Sequence, residues 1–199
     1  NICAMLMAIL GPILDIGTPV TVIQMLWINM IMDTLAGIAF ASEPPLLEYM
    51  DESPKTKDIS IINKYMINEI LISGIYTSLL GIFFLKSNLI YNFIRYSTDG
   101  RYLYTAYFAF FIFSSLFNAL NARTTRLNII ANISKNKPFI FIFTTIFLIQ
   151  LYLIYFGGDL FRTYGLTLKE LLFVLFLSLS VIPFDWLRKS LMKKSDKVL

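Results

Sequence analysis

The chain has 199 residues, of which 57% are hydrophobic, 16% aromatic and only 15% charged, with a formal charge of +4. Soluble globular domains average roughly 45–50% apolar and about 25% charged residues, so this composition leaves too little polar surface for a water-soluble fold and suits lipid instead. A single cysteine, Cys3, excludes an internal disulfide, the absence of histidine argues against zinc or haem, and the modest charge gives no reason to invoke nucleic acid.

Six apolar segments follow one another, predicting an all-α, polytopic transmembrane helical bundle. The first, 1–14, is too short for a ~30 Å hydrocarbon core, which needs roughly 20 residues. The chain opens on Asn1 without a basic n-region or a small-residue cleavage site, so it does not read as a signal peptide. We therefore expect Asn1 to lie inside a longer polypeptide and the first segment to be the second half of a spanning helix. Gly11 and Pro12 loosen its end, and Asp15, Gly17 and Pro19 predict a tight turn.

The second segment, 20–41, is about 33 Å long as a helix, enough to cross. Pro44 and Pro45 stop it, and a polar loop at 42–63 follows. The remaining segments are 64–85, 103–120, 138–156 and 167–187, with a second loop at 121–137 and a tail at 188–199. The whole chain reads as one transmembrane domain.

Orientation follows from lysine and arginine. The connections after the second and fourth segments, with the tail, hold twelve of the 17 basic residues; the opposite side holds Lys86, Arg95, Arg101, Arg162 and Lys169. The two loops and the C-terminus are expected in the cytoplasm, and the turn between the first two segments outside.

Polar residues inside apolar segments carry the functional information. Asp33 falls near the middle of the second segment, where a carboxylate costs ~2.5–3.5 kcal/mol on insertion scales. Asn29 lies one helical turn earlier on the same face. Carboxylate, amide and carbonyl oxygens suit a hard cation such as calcium, which takes six to eight oxygen ligands. Thr34 and Gly37 are placed to let the helix loosen and free backbone carbonyls. Asn1 is a further amide that can face the same point. The residues alone also admit a plain packing role in which Asn29 and Asp33 bond to neighbouring helices. Ser114, Ser115, Asn118 and Gln150 read as interhelical hydrogen-bonding residues, and Glu69 as a carboxylate that snorkels to water. No GxxxxGK[ST], HExxH or GxSxG motif is present, so no ATP-binding or bond-cutting chemistry resides in this chain.

Taken together these residues resemble a known family. The run Gln24-Met25-Leu26-Trp27-Ile28-Asn29-Met30-Ile31-Met32-Asp33-Thr34, closed by Ala41-Ser42-Glu43-Pro44-Pro45, resembles the sixth membrane helix of P-type calcium ATPases, closest to the plasma-membrane type and its bacterial relatives. Phe117 to Arg123 resembles the end of the eighth helix, and Phe156-Gly157-Gly158 with Phe161-Arg162-Thr163 the loop before the tenth. The resemblance implies that the six segments are the fifth to tenth membrane helices of a calcium translocase. It implies calcium as the transported ion and Asn29, Asp33 and Asn1 as its ligands. ATP and Mg2+ then act in cytoplasmic domains upstream, which with the upstream membrane helices and the bilayer are the partners. Two-ion members carry glutamate, threonine and glutamate where this chain has Ala4, Met32 and Ser115, which implies one ion per cycle, with protons counter-transported. The implied location is the plasma or bacterial inner membrane. The alternatives are a pump for manganese or another cation, and a non-enzymatic multi-pass protein.

Overall fold

The structure is a computed structural model and describes residues 2–44, 64–130 and 132–195, without the side chains of 31–33, 64 and 193–195. Among the described residues every regular element is helical. Helix α1 (Ile2–Ile13) ends in a turn where Asp15 and Gly17 take φ of 54° and 73° and the Ile16 N–H donates to Gly11 O. The second segment is one helical run in three parts: α2 (Val22–Ile28), a π-helical stretch (Asn29–Leu35) and α3 (Ala36–Ala41). Then come α4 (Lys64–Lys86), a 3-10 turn (Asn88–Asn92), α5 (Arg101–Ala122), α6 (Lys137–Phe156), the single turn α7 (Gly158–Phe161), α8 (Leu168–Leu179) and α9 (Val181–Ser195).

Among the described residues four stretches are long and apolar enough to cross a membrane: Tyr65–Lys86, Arg101–Ala122, Lys137–Phe156 and Leu168–Met192. The last of these differs from the expectation of one unbroken helix. It breaks at Ser180 and continues to Ser195. Pro183 explains the break, because its ring lacks an N–H for Leu179 O and clashes with the preceding turn. Tyr76 reaches over from α4 to donate to the Ser180 hydroxyl at 3.0 Å and stacks on Phe184 at 3.7 Å.

Helix α5 is the axis of the bundle. Residues 105–114 are buried without interruption, which for three turns of helix means burial on every side. Of its spanning window 72% is buried, against 22–28% for the other three, so those helices form a sheath around it. Phe84, Phe108, Phe110 and Phe113 fill the interior at 0% exposure. Small residues set the close approaches elsewhere. A Cβ on Gly74 of α4 would stand 2.8 Å from Ile2 Cγ2, so the α1–α4 crossing depends on its absence.

A tighter case is Gly157, between α6 and α7. An added Cβ would meet Leu153 O and Thr163 Oγ1 at 2.5 Å each, and those two atoms are themselves joined by a 2.6 Å hydrogen bond. Neither neighbour is the free end of a flexible chain. Gly157→Ala is therefore expected to destabilise the fold by about 1–3 kcal/mol, read as a lower thermal midpoint of the intact protein in detergent. An unchanged midpoint would show that the joint yields.

Candidate functional site: the interrupted second helix

Local sequence explains how the second helical run starts. Thr21 is its N-cap: the Thr21 hydroxyl accepts the Gln24 N–H at 3.2 Å, and Gln24 Oε1 accepts the Thr21 N–H at 2.8 Å. This capping box satisfies two donors that a helix start leaves open. Gln24 does more, since its Nε2 donates to Phe161 O at 2.6 Å and its side chain is fully buried. Trp27 meets Phe161 edge to face at 6.0 Å.

The hydrogen-bond pattern then changes. From Asn29 to Leu35 the backbone is π-helical, so each ring holds one more residue than in an α-helix. The Asn29 N–H is shared between Leu26 O and Met25 O as the change begins. Such stretches are rare and concentrate at functional sites. The loosening expected around Thr34 and Gly37 thus lies slightly earlier: Thr34 is inside the π stretch, whereas Gly37 is in regular α3. Asn29 and Thr34 are exposed, and a Cβ on Gly37 would meet nothing within 4 Å.

Of the three candidate ligands, Asn29 opens the π stretch with an exposed side chain. Asp33 lies on the same stretch by its backbone, within one turn of Asn29. Its side chain, and Asn1 altogether, fall outside the described residues. Among the described residues no three of Asp, Glu, Cys and His gather where they could hold a metal ion.

Sequence reasoning passed over the residues that fix the far end of the run. Asn136, fully buried, caps α6 by accepting the Phe139 N–H at 2.9 Å while its Nδ2 donates to Ala39 O at 3.2 Å and Glu43 Oε2 at 2.7 Å. Arg123 donates to Glu43 Oε1 at 2.6 Å and to Ile129 O at 2.7 Å. The ends of α3, α5 and α6 therefore meet on one carboxylate. An Asn directly before Lys137-Pro138 is a readable cap signal, but its partners on α3 are about a hundred residues away.

The turn end has its own fastenings. Arg162 donates from Nη2 to Thr18 O and Pro19 O at 2.9 and 3.1 Å and covers the Tyr104 ring at 4.4 Å. Glu170 caps α8 through Thr167 and takes Arg95 Nε at 2.9 Å. In the nearby connection, the Arg101 guanidinium and backbone N–H both donate to Asp99 and hold its carboxyl down to about 2. That contribution to the loop is complete above the ordinary carboxylate range and is lost as pH falls through about 2.

A cavity of about 500 Å³ opens between the start of α1 and the facing sides of α4 and α5, with Glu69, Ser73, Ser114 and Asn118 on its wall. Ser115 donates to Phe111 O at 2.9 Å and Thr77 to Ser73 O at 2.7 Å, so those hydroxyls are turned onto their own helices. Against the interhelical reading, Ser115 thus bonds within α5 and the buried Ser114 hydroxyl has no partner among the described residues. Three further expectations need correction. Glu69 does not snorkel: its side chain is 13% exposed and faces Arg188 at 3.4 Å. Gln150 is fully buried, yet neither of its amide atoms has a partner among the described residues. Arg188 and Lys189, counted as tail residues, are buried inside the bundle at 4% and 3% exposure.

An all-helical bundle with several helices of membrane length, and with a further helical run interrupted at a polar motif, defines a multi-pass integral membrane protein. Residues 17–191 match the family described as "Cation transporting ATPase, C-terminus", and the chain belongs to that family. It is 30% identical over 193 residues to the plasma membrane calcium-transporting ATPase mca-1 of Caenorhabditis elegans, covering 92% of this chain and 15% of that protein. It is 32% identical over 163 residues to the calcium-transporting ATPase PAT1 of Dictyostelium discoideum, covering 77% of this chain and 15% of that protein. It is 28% identical over 215 residues to the human plasma membrane calcium-transporting ATPase 4, covering 100% and 17%. The chain thus spans about a sixth of the length of the curated relatives it matches.

Proposed function

We propose that this chain is the membrane-embedded, ion-translocating portion of an ATP-driven P-type calcium pump, carrying one calcium ion per cycle against protons. The observation that carries the reading is the π stretch at Asn29–Leu35, which coincides with the Asn29 to Asp33 motif in a chain of the cation-transporting ATPase family. The names of the relatives supply calcium as the ion.

The chemistry is that of a hard cation leaving water. Calcium needs six to eight oxygens, and an unbroken α-helix offers none from its backbone. A π stretch weakens the i→i+4 pattern and turns some carbonyls away from it. The Asn29 amide, the Asp33 carboxylate, the Asn1 amide and a carboxylate from an upstream membrane helix complete the shell. Catalysis by ATP and Mg2+ occurs in upstream cytoplasmic domains, and their movements reach the site partly through the loop at 42–63. Affinity must differ between the two access states for transport to be coupled. Asp33 takes up a proton when the ion leaves outward. The C-terminus and the loops at 42–63 and 121–137 face the cytoplasm of a cell that carries the pump in its plasma or inner membrane.

The test is ATP-dependent calcium uptake by vesicles carrying the full-length protein, with manganese as competitor. Uptake of calcium that excess manganese leaves intact is expected. Uptake inhibited at equimolar manganese would move the protein to manganese transport, and no ATP-dependent uptake of either ion would end the pump reading.

A further inference from the structure

The π stretch raises a mechanical question that its own sequence does not answer. A helix left to itself keeps the α pattern, because π-helical bonding is rare and occurs in short interruptions. Something outside Asn29–Leu35 must keep this segment from closing up. The hydrogen bonds at the two ends of the run supply the answer.

At the turn end, Gln24 is buried and its two amide atoms are both engaged, with the Thr21 N–H and with Phe161 O at 2.6 Å. Rotation of α2 about its axis would pull that amide off the backbone of α7. At the opposite end, Asn136 is buried and holds Ala39 O at 3.2 Å and Glu43 at 2.7 Å, while Arg123 holds the other oxygen of the same carboxylate. Ala39 O is one of the last four carbonyls of α3, which have no partner within the helix. Rotation of α3 would pull that carbonyl off the cap of α6.

Relaxing the stretch to α-helix removes one residue from the widened turns. That swings everything beyond it by about 100° about the axis, the angular step of one α-helical residue. At a Cα radius of about 2.3 Å the swing displaces backbone atoms by about 3.5 Å, more than a hydrogen bond tolerates. The two ends therefore cannot both keep their partners unless the extra residue stays in the turn. We propose that Gln24 and Asn136 are positioning residues: gripping the two ends of one helical run against α7 and α6, they lock the rotational register that keeps Asn29–Leu35 π-helical.

The experiment uses the full-length protein with Gln24→Met and Asn136→Leu, singly and together, which keep side-chain volume and remove the bonds. Cryo-electron microscopy of the double variant in nanodiscs is expected to show α-helical hydrogen bonding through 29–35 and α3 turned about its axis. A π stretch that survives the loss of both grips overturns the proposal. Phosphorylation by inorganic phosphate in calcium-free medium monitors folding. It is expected to persist in both single variants, and its loss in either would overturn the proposal by showing that the residue supports the fold rather than the register.

The ion readout rests on the calcium reading above. The calcium concentration for half-maximal phosphorylation by ATP is expected to rise at least about tenfold in the double variant, as for lost outer-shell support of a metal site. A π stretch lost with calcium affinity unchanged supports the grips and counts against the calcium site. The two ideas thus fail separately.

Discussion

Asp33→Asn in the full-length protein is expected to abolish calcium-dependent phosphorylation by ATP while leaving calcium-free phosphorylation by inorganic phosphate intact. The substitution keeps size and hydrogen-bonding capacity and removes only the charge. A carboxylate near the bilayer centre costs ~2.5–3.5 kcal/mol, so a neutral amide there should ease insertion and folding rather than impair them. Calcium, by contrast, depends on anionic oxygen, and the motif holds one acid between Gln24 and Ala41. A loss of apparent affinity on the order of 100-fold or more is the expected size. Calcium-dependent phosphorylation that survives with ordinary affinity would remove Asp33 from the ion path.

Asp185→Ala is expected to produce the largest stability loss in the chain. Asp185 is 1% exposed and lies 2.6 Å from Arg188 Nε and 2.9 Å from Lys189 Nζ, both nearly as buried. Glu69 approaches the same Arg188 from α4 at 3.4 Å, and Tyr65 accepts from it at 3.2 Å. Lys189 also donates to Asn121 O and Thr124 O at 2.7 and 2.8 Å, where it serves the carbonyl end of α5. Two buried cations thus share two carboxylates. Removing Asp185 leaves one positive charge in excess inside a bilayer-spanning bundle, and breaking a buried pair in this way costs about 3–5 kcal/mol. The measurement is the thermal midpoint of the purified protein in detergent, together with the yield of folded material. Adding Lys189→Met should recover part of the loss, because the uncompensated charge goes with it. A double variant no more stable than Asp185→Ala alone would show that the cluster's worth lies in its geometry instead.

Much of the helical arrangement could be read from the chain alone, and the reasons differ from element to element. Helix α6 runs Lys137–Phe156 where an apolar run lies between an Asn-Lys-Pro start and a Gly-Gly stop. Its boundaries are local chemistry, and local chemistry is legible. The break at Ser180 was also marked, by Pro183, but the strong apolar run on both sides concealed it. Glu69 is not legible as a paired group because the charge that holds it, Arg188, arrives more than a hundred residues later. The candidate site divides in the same way. Oxygen-bearing residues at 29 and 33 stand out against an apolar background, whereas π bonding leaves no periodic trace. It depends on Gln24 and Asn136 meeting distant backbone. The Thr-x-x-Gln pattern at Thr21 is a local cap signal that went unread, and nothing nearby in the chain points to Phe161 as its third partner.

Helix α5 is enclosed by its neighbours along ten successive residues. Lipid tails press on the surrounding helices and reach α5 little. A thinner or thicker membrane must therefore tilt or stretch the outer helices around a mast whose length it does not set. Because Arg123 sits at the foot of that mast and holds Glu43, the base of the π-interrupted helical run is referenced to the protein's own frame. The height of the π stretch should accordingly stay constant across membranes of different thickness, even as the helices around it lean.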